Sequence, residues 1–215
     1  MNADFRTRPQ VFPCGRGFVL QQNDDVCYSF VIKHEAGGVR LMIELFLPKM
    51  KVQSIYDIPL DRLYEQGIRG IVTDLDNTLV GAHSPLATEE LVRWLAEVAA
   101  KGFEVVIVSN NNDSRVGTFA APLQLPYIHA ARKPAQRAFV KAISILKLKP
   151  AQTLMIGDQM MTDVFGGNRM GMYTVLVAPI APLEEGIMTK VNRRLERIVI
   201  SRLRKRSLWH EEETK

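Results

Sequence analysis

A few short stretches of this chain carry side chains that can do chemistry. Asp74 and Asp76 stand two residues apart in Gly70-Ile71-Val72-Thr73-Asp74-Leu75-Asp76-Asn77-Thr78-Leu79. Ser109 closes the apolar run Phe103–Val108 and is followed by Asn110, Asn111 and Asn112. Lys133 precedes Pro134, and Asp158 and Asp163 share the stretch Gly157-Asp158-Gln159-Met160-Met161-Thr162-Asp163. Acids at i and i+2 of a strand end face one spot, and such a pair is costly unless a cation or a reacting group neutralises it. The set suits phosphoryl transfer. One carboxylate can attack phosphorus, and a second can protonate the leaving oxygen and then deprotonate water. A hydroxyl and an ammonium can hold the phosphoryl oxygens while charge moves, and further carboxylates suit Mg2+.

Each site also has a plainer reading. Asp74 to Thr78 is a strand running into a polar turn. Ser109 is a cap for the next helix, Lys133 a surface cation, and Asp163 an acid favoured by the dipole of its own helix. Asn110 to Asn112 are ordinary turn formers.

The elements that must position these groups alternate. Ile68–Thr73, Phe103–Val108, Tyr127–His129, Thr153–Ile156 and Tyr173–Val177 read as strands. Helices are expected from Asp57 or Pro59 to Gly67, from Ser84-Pro85 to Lys101, over about 113–121, from Pro134 through Leu146, and over about 161–170. Residues 43–56 read as an extended or short helical lead-in. Strand-helix alternation argues a Rossmann-like α/β fold, a parallel sheet of about five strands with helices on both faces. In such a sheet the carboxyl ends of the strands converge on one crevice. Asp74, Asp76, Ser109, Lys133, Asp158 and Asp163 all follow strand ends, so residues far apart in sequence can meet there.

The 215 residues are enough for one well-buried domain with appendages. Hydrophobic content of 47% and charged content of 24% are those of an ordinary globular chain. The two cysteines, Cys14 and Cys27, have no metal spacing and suggest no disulfide framework, which makes a reducing, cytoplasmic setting the default. The first 30 residues lack a signal-peptide layout, and no apolar run is long enough to span a membrane. The net charge of +5 is concentrated near the C-terminus. There Lys190, Arg193, Arg194, Arg197, Arg202, Arg204, Lys205 and Arg206 are opposed only by Glu196, while Ile187, Val191, Leu195, Ile198, Val199 and Leu203 recur at helical spacing. Such a helix fits three settings: packed on the domain with a solvated basic face, laid on an anionic membrane, or bound to nucleic acid. Nucleic acid is the weakest of these, because the segment lacks interleaved aromatics apart from Trp209.

Taken together, DLDNT, Ser109, Lys133 and GDQMMTD resemble the four motifs of the haloacid dehalogenase (HAD) superfamily of phosphatases, over about residues 68–178. The resemblance implies that Asp74 is the nucleophile and Asp76 the general acid/base. It implies that Ser109 and Lys133 bind the phosphoryl group, with Asn110 a further candidate. It also implies that Asp158 binds Mg2+ with Asp74 and the main-chain carbonyl of Asp76, and that Asp163 orients the metal shell. The intervals from Asp74 to Ser109 and from Ser109 to Lys133 are filled by one helix and one strand each. Neither can hold an inserted cap domain, so the crevice is expected to be open and to suit a large or surface-bound substrate.

Residues 42–206 resemble a narrower group, the YqeG-type uncapped phosphatases akin to mitochondrial phosphatidylglycerophosphate phosphatases. The likeness rests on LFLPKMKVQSIYDI, DLDNTLV and GDQMMTDVFGGNRMGM. It implies hydrolysis of phosphatidylglycerophosphate at the inner face of a bacterial membrane, and the pattern of the basic helix adds a candidate peripheral contact through residues 187–206. A soluble small-molecule, nucleotide or phosphoprotein substrate remains open, as does a nucleic-acid or ribosome-binding protein using the basic tail. Three regions are expected: an extension at 1–41, a phosphatase domain at 42–182 and a basic tail at 183–215. The codons of Gly37-Gly38 can spell a ribosome-binding sequence three codons upstream of Met42, so translation is expected to start at Met42 and the extension not to be native.

Overall fold

The computed structural model describes residues 42–182 and 187–209, so the expectations for residues 1–41 lie outside the described residues. All strand pairings among these residues are parallel, in a single sheet of order β1-β6-β5-β2-β3-β4. In chain order the strands are β1 (Met50–Val52), β2 (Gly70–Thr73), β3 (Glu104–Val108), β4 (Tyr127–Ile128), β5 (Thr153–Gly157) and β6 (Tyr173–Val177). The helices are α1 (Leu60–Glu65), α2 (Glu89–Ala100), α3 (Asp113–Leu123), α4 (Gln136–Leu146), α5 (Phe165–Arg169) and α6 (Ile187–Lys205).

The strand repeat of two divides the core between the faces. Ile71, Ile107, Leu154 and Ile156 point to one side, where they meet Leu63 of α1, Leu91 and Trp94 of α2 and Phe119 of α3. Val72, Val106, Val108 and Met155 point to the other side, against Phe139, Ile143 and Leu146 of α4. Both faces are therefore covered, which is why the strands are predominantly apolar rather than alternating.

The structure departs from the sequence reading at several boundaries. A sixth strand, β1, comes from the lead-in and pairs with the edge of β6, Met50 opposite Val175. The lead-in before it is pinned by tertiary contacts that a local pattern cannot reveal. Phe46 stacks on Phe165 at 4.6 Å, and Asn168 Nδ2 donates to the carbonyls of Leu45 and Leu47, both at 2.8 Å. Helix α2 begins at Glu89 and not at Ser84-Pro85, because Thr88 is its N-cap: Thr88 Oγ1 accepts from Leu91 N at 3.2 Å. Helix α4 begins at Gln136, two residues past Pro134. The expected helix over 161–170 is a π-helical turn, Met160–Val164, leading into α5.

The chain runs β2, β3, β4 outward in one direction and then returns to β5 and β6 on the other side of β2. The order reverses between β2 and β5, the place where ligands bind in open α/β sheets. Replacing Thr88 with Ala is expected to cost about 1 kcal/mol of stability, the usual worth of an N-cap hydroxyl. A shift in the urea midpoint at unchanged slope would read it out; no shift would mean that α2 is not capped there.

Candidate active site

Asp74, Ser109 and Asp158 directly follow β2, β3 and β5, and Lys133 lies in the loop after β4. Their strands are neighbours in the sheet, so the side chains converge. Lys133 Nζ lies 2.8 Å from Asp74 Oδ1 and 2.8 Å from Asp163 Oδ1. Lys133, Asp74, Asp158 and Asp163 are all buried. Oxygens of Asp74, Asp158 and Asp163 lie within 4.8 Å of one another.

Local structure explains how these groups are held. The turn after β5 is tight around Asp163: a Cβ on Gly157 would sit 2.3 Å from the Asp163 carboxyl, so only glycine fits there. Asp163 Oδ2 accepts from Gln159 N at 3.1 Å. After β2, Leu75 N donates to Asp74 Oδ1 at 2.8 Å. Asn77 takes a left-handed conformation, φ 65°, which Asn tolerates better than most residues. Its carbonyl accepts from Ile180 N at 3.1 Å and its Oδ1 from Ala181 N at 3.2 Å. Thr78 Oγ1 donates to Asp158 Oδ1 at 3.3 Å. The Asn and Thr of the first motif thus join it to the segment after β6 and to the Asp158 turn.

The two acids of the first motif have separate surroundings. Asp74 faces Lys133, whereas Asp76 is half-exposed and turned to α3. Asp76 Oδ1 accepts from Arg115 Nε at 3.1 Å and Nη2 at 2.9 Å, and its Oδ2 from Asn111 Nδ2 at 3.1 Å. Ser109 is buried at the end of β3, and its Oγ accepts from Asn111 N at 3.1 Å. The cap of α3 is Asn112, whose Oδ1 accepts from Arg115 N at 2.9 Å, so Ser109 is not needed for that role. Asn110 is spent on Lys133: its Oδ1 accepts from Lys133 N at 2.7 Å and its Nδ2 donates to Lys133 O at 3.4 Å.

Three acids and one lysine do not balance, and the remaining cation comes from the basic helix. Arg193 of α6 pairs with Asp158 Oδ2 through Nη2, and its Nη1 donates to the Asp158 carbonyl at 2.6 Å. Glu196 Oε2 holds the same Nη1 at 3.2 Å, while its Oε1 accepts from Met160 N at 2.6 Å and Met161 N at 3.3 Å. Sequence reasoning missed Arg115 and Arg193. Arg115 has no distinguishing signal in the chain. Arg193 had a faint one, since Glu196, three residues on, is the only acid in a run of cations.

Burial, together with the charges of Asp74 and Asp163, pushes the Asp158 carboxyl up to about 8, against the pull of Arg193 and Lys133. Burial likewise raises Asp163 to about 6, where Lys133 opposes and Asp74 assists the rise. Burial alone would lower Lys133, but Asp163 and Asp74 outweigh it and hold the ammonium firmly charged. A buried cluster of three carboxylates, hard oxygen donors with one ammonium among them, suits a small divalent cation such as Mg2+. The Asp76 side chain is outside that cluster.

Comparison with known proteins gives the following matches. A family model described as HAD-hydrolase-like matches residues 130–179. The "Probable phosphatase YqeG" of Bacillus subtilis is 43% identical over 173 residues, spanning 80% of this chain and 100% of that protein. The chloroplastic/mitochondrial phosphatidylglycerophosphate phosphatase 1 of Arabidopsis thaliana is 29% identical over 176 residues, 77% of this chain and 50% of that protein. Among solved structures, the cobalt-bound deoxy-D-mannose-octulosonate 8-phosphate phosphatase of Haemophilus influenzae superposes with a TM-score of 0.45 at 14% identity, over 68% of this chain and 95% of that one.

The raised carboxyls predict how cation binding depends on pH. An entering ion must displace the protons held by Asp158 and Asp163, so affinity rises with pH from about 6 to about 8. Mg2+ is expected to raise the melting temperature more at pH 8 than at pH 6, as a ligand that binds only the folded state does. Stabilisation equal at both pH values would contradict the protonated cluster.

Proposed function

This chain belongs to the HAD phosphatases of the YqeG type, and from that premise we propose that it hydrolyses phosphomonoesters through an aspartyl-phosphate on Asp74, with phosphatidylglycerophosphate as its substrate. The observation that carries the first part is the meeting of Asp74, Lys133, Asp158 and Asp163 in one buried cluster at the strand ends. Asp74 attacks phosphorus and the ester oxygen leaves. Asp76, held by Arg115 and Asn111 outside the acid cluster, protonates that oxygen. Asp76 then takes a proton from water, which attacks the aspartyl-phosphate, releases phosphate and restores Asp74. Ser109 and Lys133 hold the phosphoryl oxygens, and Asn110 serves that cradle by fixing the backbone of Lys133.

Asp74, Asp158 and Asp163, with the main-chain carbonyl of Asp76, are the residues that would hold Mg2+. When bound, the ion supplies positive charge to the phosphoryl oxygens.

Two observations support the lipid substrate. One is the Arabidopsis relative, a phosphatidylglycerophosphate phosphatase by name. The other is the surface of α6. Asn192, Arg193 and Glu196 face the site and Leu203 is buried, while Val191, Leu195 and Ile198 are 46%, 43% and 47% exposed, so part of the apolar stripe is turned to solvent. Exposed Lys190, Arg194, Arg197 and Arg202 accompany that stripe, which suits an anionic bilayer surface. No helix among the described residues is long and apolar enough to cross a membrane. We therefore include in this proposal that the reaction takes place at the cytoplasmic membrane face, with residues 187–206 in peripheral contact.

A phosphate-release panel that includes phosphatidylglycerophosphate in mixed micelles tests the substrate; preference for a soluble ester would overturn the lipid assignment. Asp74→Asn is expected to abolish turnover. Asp76→Asn should lower kcat by roughly 10²–10⁴-fold, the range for a lost general acid/base. The double substitution Leu195→Asp, Ile198→Asp is expected to weaken binding to phosphatidylglycerol vesicles by about tenfold or more, given the worth of two buried aliphatic side chains. Unchanged vesicle binding would rule out this face as the contact.

A further inference from the structure

The polar side of α6 is built into the candidate metal site. Asn192, Arg193 and Glu196 fall on one helical face and grip the turn that carries Asp158. Asn192 Nδ2 donates to Gln159 Oε1 at 3.0 Å, and Glu196 accepts from the amides of Met160 and Met161. Arg193 donates to the Asp158 carbonyl at 2.6 Å and pairs with its carboxylate Oδ2. Glu196 is 6% exposed, an unusual depth for a glutamate on a surface helix, and it spends both carboxylate oxygens on this turn and on Arg193.

We infer that Arg193 is a positioning residue for the metal site, with Glu196 as its anchor. The inference rests on the metal assignment above and extends it to a helix outside the HAD motifs. A guanidinium bonded at once to the main-chain carbonyl and the side-chain carboxylate of one aspartate restrains that side chain at both ends. A lysine cannot reproduce this fork. With Oδ2 so engaged, Oδ1, which accepts from the Thr78 hydroxyl at 3.3 Å, is the oxygen left for a cation in this proposal. Orientation of a ligand carboxylate by a neighbouring donor is typically worth 10–100-fold in metal affinity. The stem of Arg193 also walls a cleft of about 260 Å³ beside Asp158, together with Met160, Pro179 and Ile200.

Charge alone predicts the opposite effect, which makes the sign of the test decisive. Asp74, Asp158 and Asp163 face two fixed cations, Lys133 and Arg193. Removing Arg193 deepens the negative field and would tighten Mg2+ binding if the residue acted only as a counter-charge. The experiment is calorimetric titration of the full chain with Mg2+, for the wild type, Arg193→Ala, Arg193→Lys and Asp158→Asn, beside urea denaturation in EDTA. Orientation predicts a Kd about 10–100-fold weaker in Arg193→Ala and an intermediate loss in Arg193→Lys, measured on protein that the urea curves show to be folded. An unchanged or tighter Kd in folded Arg193→Ala would overturn the proposal while leaving the metal assignment standing. A wild type that binds no Mg2+, or binds as Asp158→Asn does, would overturn the metal assignment and this proposal with it. Should Arg193→Ala not fold, the Kd of Arg193→Lys decides: equal to or tighter than the wild type, it overturns the proposal.

Discussion

Three carboxylates buried within reach of one another are the constraint on which this structure turns. Asp74, Asp158 and Asp163 repel one another in a medium that solvates charge poorly, and together they cost more than any single contact repays. The fold answers by bringing opposite charge from two distant places, Lys133 from the loop after β4 and Arg193 from α6. The acids still outnumber the cations, since Glu196 also sits on Arg193. That deficit leaves the site receptive to a divalent ion and then to a phosphate dianion.

The elements around the site follow from this demand. Parallel strands lay their carboxyl ends side by side, so Asp74 and Asp158 emerge on neighbouring strands at the reversal of sheet order. Gly157 removes the Cβ that would otherwise displace Asp163. Asn110 holds the Lys133 backbone by both of its polar atoms, and Asn77 ties the first motif to the segment after β6. The division of work between the two acids of the first motif is also a matter of partners. Asp74 meets an ammonium inside the cluster, whereas Asp76 meets a guanidinium and an amide at its rim.

Helix α6 joins two demands in one element. Its inner side carries Asn192, Arg193 and Glu196 to the site beside the buried Leu203, and its outer side keeps aliphatic residues in solvent. An ordinary amphipathic helix packed on a globular domain turns such residues inward. Leu203 is buried, but Val191, Leu195 and Ile198 are not. A helix so oriented presents polar contacts to the site on one side and aliphatic residues to solvent on the other.

The amino-acid sequence by itself determined the alternating α/β architecture, the covered sheet, and the identity of Asp74, Asp76, Ser109, Lys133, Asp158 and Asp163 as groups at strand ends. Those features are local: apolar runs, glycine stops, and polar residues directly after strands. It did not determine β1, whose pairing depends on the edge of β6 and on the contacts of Phe46 and Asn168. Nor did it determine the true start of α2, which turns on a single hydroxyl. The helical period showed that Val191, Leu195, Ile198 and Leu203 recur together, but a period cannot say which side of a helix is docked. That was decided only in three dimensions, where Arg193 pairs with Asp158 and Glu196 accepts from the amides of Met160 and Met161. The orientation of the helix depends on a carboxylate some thirty-five residues away, and no local pattern contains that information.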